Sequence, residues 1–447
     1  MSTTTTTSTI PTSTISIAAS KSFGTKQQQR AFWGSFIGTT LEWFDFFIYA
    51  TAASLVFSTI FFPSLGEHVS LLASFATLGV AFLARPVGAF IFGHLGDTLG
   101  RRTTLMITMV LMGAATGLIG LLPTWNEIGV WAPILLTCLR FLQGVAVGGE
   151  WSGAVIMSIE SAPKHRARFY GAAPQIASPF ALVLSSIVMY AVAQLPTEDL
   201  MSWGWRIPFL TGFVLVVIGV IIRLRVPEPE VFNEAKKSQE IRKNPIGTVI
   251  RTKSLQLLVG VGLQASVLVL FYLITTYMLS LANQRYGIAR SETMLILLVA
   301  ATVDLFAIVM IGILADKISP LKIFMTGAIS TLLFAIPLFL LFSTGNVVLM
   351  ALAFIIALVL GHASVYAVVS SMTFELFPVE VRYSGVALVS AISAIVFSAT
   401  TPFIAAFLVP AASQVHWWPL PAMLMAASLI SIVAGYGVRI VLKQNQA

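Results

Sequence analysis

Residues 93–102 read GHLGDTLGRR, a short polar stretch set between two long apolar runs. Residues 312–317 read GILADK and take the same place in the second half. Each copy is followed by an E-x-x-P signal, Glu160 with Pro163 and Glu375 with Pro378. Asp97 and Asp316 are 219 residues apart (316 − 97), and Glu160 and Glu375 are 215 apart (375 − 160). A chain that repeats its polar loops at one period, between apolar helices, is two similar membrane halves in tandem. Repeats of this kind build a site at the interface of halves that can rock against each other.

Composition agrees. Of 447 residues, 57% are hydrophobic and 10% charged, against about 25% charged in a soluble domain. Apolar runs of about 20 residues, long enough to cross the hydrocarbon core, recur along the chain. Their number and length exclude a soluble bundle of buried helices. Twelve spans are expected, at roughly 31–58, 70–92, 103–123, 131–157, 171–194, 206–224, 254–282, 293–314, 323–343, 346–372, 386–409 and 418–440. The fold class is thus an all-α membrane protein of twelve transmembrane helices in two six-helix bundles.

An even number of spans puts both termini on one side, and the Lys/Arg bias selects the side. Of the 26 basic residues, 21 fall in the tails, the middle linker and alternate loops. Both termini are therefore expected to be cytoplasmic, in a multi-pass protein of the cell (inner) membrane. The formal net charge of +8 follows from this sorting. Dispersed basic residues give no nucleic-acid surface; lipid is the expected surround, and a monomer the expected state. Residues 1–30 read as a disordered Ser/Thr-rich cytoplasmic tail without a signal-peptide h-region. Residues 31–224 form the first bundle, 225–253 a charged cytoplasmic linker, 254–440 the second bundle and 441–447 a short cytoplasmic tail. Cys138 is the single cysteine, so one chain can form neither a disulfide nor a cysteine metal site.

The 93–102 stretch resembles the G-x-x-x-D-x-x-G-R-[RK] signature of the major facilitator superfamily. Arg140, Gln143 and Gly144 match its R-x-x-Q-G signature in the fourth helix. Glu42-Trp43-Phe44-Asp45-Phe46, Arg85-Pro86-Val87-Gly88, Gly148-Gly149-Glu150-Trp151, residues 160–164 (ESAPK) and residues 203–209 (WGWRIPF) are similar to one branch, the metabolite:proton symporters, and within it to the shikimate permease type. The resemblance covers residues 31–440, most densely in the first half. It implies the major facilitator fold, alternating access, and uptake of a small metabolite with the proton as coupling ion and no cofactor. The substrates of that branch include 2-oxoglutarate, citrate, shikimate, other carboxylic acids, and proline or betaine.

A charge within a span costs about 2.5–3.5 kcal/mol on insertion scales, so each such residue needs a reason. Glu42 and Asp45 are three apart and share a helix face. Asp45 falls near the midplane, and Arg140 reaches similar depth on the fourth span. A carboxylate that trades between a proton and an arginine is what proton coupling requires. Asp45 is the expected carrier and Arg140 its modulator or an anion contact; a fixed ion pair joining two helices is the competing reading. Arg85 is a candidate for a substrate carboxylate, or a partner for Glu150. His362 could relay protons, bond a substrate hydroxyl or sit as a satisfied core histidine. Asp304 stands as an unpaired carboxylate of open role. Tyr49, Trp151, Gln175, Tyr272, Tyr277 and Tyr366 are cavity-lining candidates, with packing the alternative for each.

The loops carry a different expectation. Asp97 is read at the start of a cytoplasmic helix, where the helix dipole favours an anion. Arg101, Arg102, Glu160 and Arg166 add charges around the inner mouth, and Gly93 and Gly100 permit sharp turns. The resemblance implies a cytoplasmic gate made of these residues. The second-half copy lacks the Gly-Arg-Arg ending, and residues 264–267 (QASV) stand where many relatives carry an Arg…Glu pair.

No catalytic constellation, no metal site and no G-x-x-x-x-G-K-[ST] phosphate loop is present in the sequence, so neither an enzyme nor an ATP-driven pump is expected. The reading is proton-driven uptake of a small organic acid. A proton symporter of a zwitterion such as betaine or proline is the alternative. A nutrient sensor on a transporter scaffold is the alternative from another class; it would need an added signalling domain or long tail.

Overall fold

The computed structural model describes residues 26–99, 101–148, 173–223, 245–315, 317–378, 381–410 and 416–446. Twelve long helical segments follow the expected spans. They are α1 (Lys26–Leu55), α2 (Glu67–Leu99), α3 (Arg101–Leu121), α4 (Trp131–Gly148), α5 (Ala173–Ala193), α6 (Arg206–Arg223), α7 (Ser254–Tyr286), α8 (Arg290–Leu314), α9 (Pro320–Ser343), α10 (Val347–Glu375), α11 (Ser384–Leu408) and α12 (Pro419–Gln446). Among the described residues, nine helices are long and apolar enough to cross a membrane. A tenth is reached if the bent pair Thr197–Gly204 and Arg206–Ile221 counts as one span. Helices dominate because lipid offers no partner for a free N–H or C=O. Gly287 (φ 65°) and Gly345 (φ 69°) turn the chain after α7 and α9 through the left-handed region that glycine adopts without strain.

The fold is the all-helical, two-bundle membrane fold expected. Within the first bundle α2 packs on α4, α1 on α5 and α3 on α6; within the second, α7 and α9 pack on α12. The α2–α4 crossing explains the glycines of three of the motifs. A Cβ on Gly144 would collide with the Ala81 carbonyl, one on Gly148 with the Arg85 carbonyl, and one on Gly88 with the Val145 carbonyl. Small residues let two backbones approach to this degree.

The halves meet along α5–α8, α2–α11 and α1–α7. Much of this seam is aromatic. Tyr272 packs edge-on against Phe46 (5.7 Å) and Phe82 (5.9 Å), and Phe271 lies 5.6 Å from Phe47. At the end of α1 the seam is hydrogen-bonded. Ser54 Oγ lies 2.8 Å from the Thr276 carbonyl, and Ser280 Oγ donates to the Ser54 carbonyl at 2.6 Å. Thr276 lies in a π-turn over Leu273–Tyr277, a local widening of the helix that is frequent at functional sites. Further π-turns occupy Ala357–Ala363 and Ala394–Ala399.

Two expectations change. The 93–102 stretch is not an extended loop: α2 stays helical to Leu99 and α3 begins at Arg101. A helix carries its own backbone hydrogen bonds and needs no break to leave the membrane. Asp97 therefore lies in the last turn of α2, where the helix dipole does not favour an anion, and not at a helix start. Arg206 closes the end of the first bundle. Its Nη1 donates to the Leu122 carbonyl at 2.6 Å and the Gly120 carbonyl at 3.2 Å, and its guanidinium stacks 4.5 Å over Trp205. Trp205 is buried edge-on against Phe57 and Phe61, whereas Trp203 is 48% exposed. The W-G-W-R string thus joins an outward-facing ring, a core ring and a cation that ties off the last carbonyls of α3.

Candidate functional site

Asp45 and Glu42 are both buried on α1, 3% and 4% exposed. On α4, Arg140 and Gln143 also share a face, three residues apart, and both are 1% exposed. On α3, Thr116 is fully buried. These elements bring four side chains into one network. The Thr116 hydroxyl donates to Asp45 Oδ1. Gln143 Nε2 donates to Asp45 Oδ2 at 2.8 Å and lies 2.9 Å from Thr116 Oγ1. Arg140 Nη1 donates to Gln143 Oε1 at 2.9 Å and stands 3.8 Å from Asp45 Oδ2.

The arginine is held from beneath by rings. Its guanidinium lies 4.0 Å over Tyr49 and 5.1 Å from the Phe46 centroid, distances at which cation–π attraction offsets part of the desolvation. Tyr49 is fixed in turn, its hydroxyl donating to Thr77 Oγ1 at 2.6 Å. Arg140 Nε and Nη2 have no hydrogen-bond partner among the described residues. Buried donors left unpaired are expensive, so two guanidinium nitrogens are available to an incoming acceptor.

Asp45, Glu42, Arg140, Gln143, Trp43 and Arg85 line one cavity between α1, α2 and α4. Arg85 stacks 4.8 Å over Phe82, and its Nε has no partner among the described residues. Two carboxylates and two guanidiniums therefore face one space. With all four ionised, their formal charges cancel.

The structure separates the other candidates. Tyr49 does not line this cavity but supports Arg140. Tyr277 is fully buried and its hydroxyl donates to the Val409 carbonyl, a packing role. Tyr272 sits in the seam, its hydroxyl close to Ser398. Tyr366 is half-buried on α10, its hydroxyl close to Ser178 of the other half. Asp304 is not unpaired: His362 Nδ1 lies 3.0 Å from its carboxylate. Gln175, Gly93, Asp97, Arg101 and Arg102 lie on described helices, and their side chains are outside the described set. Trp151, Glu150, Gly100, Glu160 and Arg166 lie outside the described residues. Thr116 and Thr77 were invisible to sequence reasoning, since single threonines in apolar spans carry no pattern. Gln143 had a signal, its i+3 spacing from Arg140. Among the described residues no group of three His, Cys, Asp or Glu side chains converges to hold a metal ion.

The Major Facilitator Superfamily profile matches residues 35–397. The shikimate transporter of Escherichia coli (strain K12) is 36% identical over 406 residues, 90% of this chain and 92% of its own length. The proline/betaine transporter of the same strain is 32% identical over 418 residues, 91% of this chain and 82% of its own. A crystal structure of a D-xylose-proton symporter superposes with a TM-score of 0.70 at 20% identity, covering 91% of this chain and 97% of that one. At that identity the likeness is one of fold.

Proposed function

The chain belongs to the major facilitator superfamily, and on that premise we propose that it imports a small organic acid together with protons by alternating access. The observation that carries this reading is the charge balance of the cavity. Arg140 stands 3.8 Å from Asp45, so an incoming carboxylate competes with Asp45 for the guanidinium. A proton on Asp45 removes the competitor and leaves the four cavity groups one positive charge in excess, the charge a monoanion needs. Proton and substrate therefore favour each other's binding. Arg85 is the second cationic contact, and Glu42 a neighbouring carboxylate that keeps an empty cavity neutral.

Thr116 makes the protonation inexpensive. A hydroxyl can turn from donor to acceptor, so a proton on Oδ1 donates back to Thr116 Oγ1 while Oδ2 keeps the Gln143 amide. No side chain must move. The cotransported proton also offsets the anion's charge, which opposes inward movement by about 2.3 kcal/mol per charge per 100 mV of inside-negative potential. Placement in a bacterial inner membrane, with both termini cytoplasmic, is supported by the Lys/Arg sorting. The residues around 93–102 and 160–166 are assigned to the gate at that face.

A second reading follows from the same cavity. Both signs of charge are present, and the proline/betaine transporters are relatives at about a third identity. A zwitterion would lie with its carboxylate toward Arg140 and its cationic end toward Glu42. The discriminating experiment is a panel of labelled carboxylates, betaine and proline in proteoliposomes under an imposed pH gradient. Gradient-driven uptake of a carboxylate supports the first reading and of a zwitterion the second. Binding without uptake would support the sensor and end both.

A further inference from the structure

Two long helices of the second bundle, α9 and α12, lie against each other along their length. Toward one end Phe339 of α9 stacks on Trp417, just before α12, with 6.3 Å between ring centroids. Toward the other, a Cβ on Gly435 of α12 would lie 2.6 Å from Met325 Sδ and 3.3 Å from Phe324 Cε1 of α9. The helices are therefore antiparallel, and the missing side chain at Gly435 lets them meet closely. Levels beyond that contact follow from the rise of about 1.5 Å per residue. Arg439, four residues after Gly435, is level with the first turn of α9, where Lys322 stands three residues before Met325. Residues three or four apart share a helix face, so the two cations flank one contact. Lys443 follows one turn after Arg439, and Lys317 precedes the start of α9.

All four cations are exposed. Residues 315–343 and 419–447 contain these four basic residues and a single acidic one, Asp316, which lies outside the described residues. Among the described residues none of the four pairs with a carboxylate. The surface leading up to them is apolar: Ile329 and Leu333 are exposed on α9, and Val433 and Ile440 on α12. Tyr436 is exposed on the same side of α12, and the Arg439 guanidinium lies 6.0 Å from its ring centroid. The arginine stem therefore runs along the apolar side with its charged head at the end. A tyrosine at that level, apolar in its ring and polar at its tip, suits the boundary between hydrocarbon and headgroups. An apolar surface that ends in cations without acidic partners is complementary to a molecule with an anionic head and hydrocarbon chains.

We propose that this end of the α9–α12 contact binds one anionic phospholipid, its phosphate between Lys322 and Arg439 and an acyl chain along the exposed apolar residues of both helices. The guanidinium supplies a two-pronged contact to phosphate oxygens and the ammonium a point charge. An anionic leaflet attracts every Lys or Arg near its surface. This site differs in setting two cations of neighbouring helices at one level, on either side of a close helix contact. Its leaflet, the cytoplasmic one, rests on the sidedness proposed above; the ligand does not. Arg251 and Lys253 give the comparison. They stand just before α7, whose Val259 meets Gly437 of α12, so they are cations of the same membrane face outside the α9–α12 contact.

The test uses the full purified chain, with phosphatidylglycerol as the anionic probe and phosphatidylcholine as the net-neutral one. Native mass spectrometry from detergent counts the lipids retained as the two compete. The parent is expected to keep a phosphatidylglycerol at concentrations where phosphatidylcholine is lost. Lys322→Gln with Arg439→Gln is expected to weaken that binding roughly twenty- to thirtyfold, about fivefold for each cation. Arg251→Gln with Lys253→Gln removes the same charge and is expected to leave it nearly unchanged. Glycerol phosphate, a headgroup without chains, is expected not to displace the lipid. A parent that shows no preference between the two lipids overturns the proposal. So does equal weakening in both double variants, which would reduce the effect to attraction by the whole face. Displacement by glycerol phosphate overturns it too, by making the site one for a soluble anion. All four substitutions change side chains at least partly exposed, and an unchanged unfolding temperature in phosphatidylcholine checks that each variant folds; the parent's competition decides the matter without any variant. No step of this measurement involves transport, so its failure leaves the Asp45 reading standing, and the reverse holds.

Discussion

Asp45→Asn separates proton coupling from every other role of the site. The substitution fits the observed network. With its amide nitrogen toward Thr116 and its oxygen toward Gln143, an asparagine donates to the threonine hydroxyl and accepts from Gln143 Nε2. Both hydrogen bonds survive, as they would for a protonated aspartic acid. What is lost is the charge 3.8 Å from Arg140 Nη1. At an effective dielectric of about 20, an attraction at that distance is worth roughly 4 kcal/mol. The variant is thus a permanent copy of the proton-loaded state, with Arg140 committed to the substrate.

The assay is a pair of measurements in proteoliposomes with a substrate found in the panel. Exchange of labelled for unlabelled substrate needs no net proton movement and is expected to persist. Accumulation under a pH gradient needs Asp45 to release its proton inside. With one proton per substrate it is worth about tenfold per pH unit, and the variant is expected to show none. Apparent affinity, pH-dependent in the parent, is expected to become flat in the variant. Accumulation at the parent level would refute the assignment of the proton to Asp45. Loss of exchange along with accumulation would refute it too, since it would mark the pair as a fixed tie between helices.

Other perturbations test the frame around the site. Gly144→Leu and Gly148→Val push a side chain into the backbone of α2; each is expected to destabilise by about 1–3 kcal/mol, read as a lower unfolding temperature of the purified protein. Arg206→Ala strips a cap from two carbonyls and is expected to cost about 1–3 kcal/mol without changing substrate affinity; a shift in affinity would place Arg206 in the pathway. Glu127 accepts from the Thr124 N–H at 2.6 Å, and that bond holds its carboxyl below the usual range. The contribution to stability is present above the ordinary carboxylate pKa and fades as pH falls through the lowered one, so Glu127→Gln is expected to remove that acid limb from a pH–stability curve. Removing the Ser54 and Ser280 hydroxyls together is expected to weaken contact at that end of the seam by about 1 kcal/mol per hydrogen bond. Spin-label distances between α1 and α7 would lengthen; unchanged distances would show the contact to be incidental.

Much of this architecture was legible in advance, and the reasons are specific. Hydrophobic length marks a span because nothing in lipid can replace the helix's own hydrogen bonds. The repeat of Asp97 at Asp316 marked the duplication. Asp45 and Arg140 stood out because charge in hydrocarbon demands a partner, and depth along two helices paired them. The method fails where the partner is not a charge. Thr116 completes the network, yet a single threonine in an apolar run costs too little to stand out. It fails again where two separate helices each hold one ambiguous residue. Asp304 and His362 lie 58 positions apart, on α8 and α10, and no spacing rule spans two helices and an intervening third. Each looked solitary because a sequence shows how deep a residue lies along its own helix but not which way that helix is turned. Helix rotation is set by packing, here by Phe271 and Tyr366 closing on the imidazole. The residues most exposed to misreading in such a chain are therefore ionisable ones on neighbouring helices at equal depth. Asp304 and His362 are that case: taken singly, each offers several roles, while together they make one buried hydrogen-bonded pair.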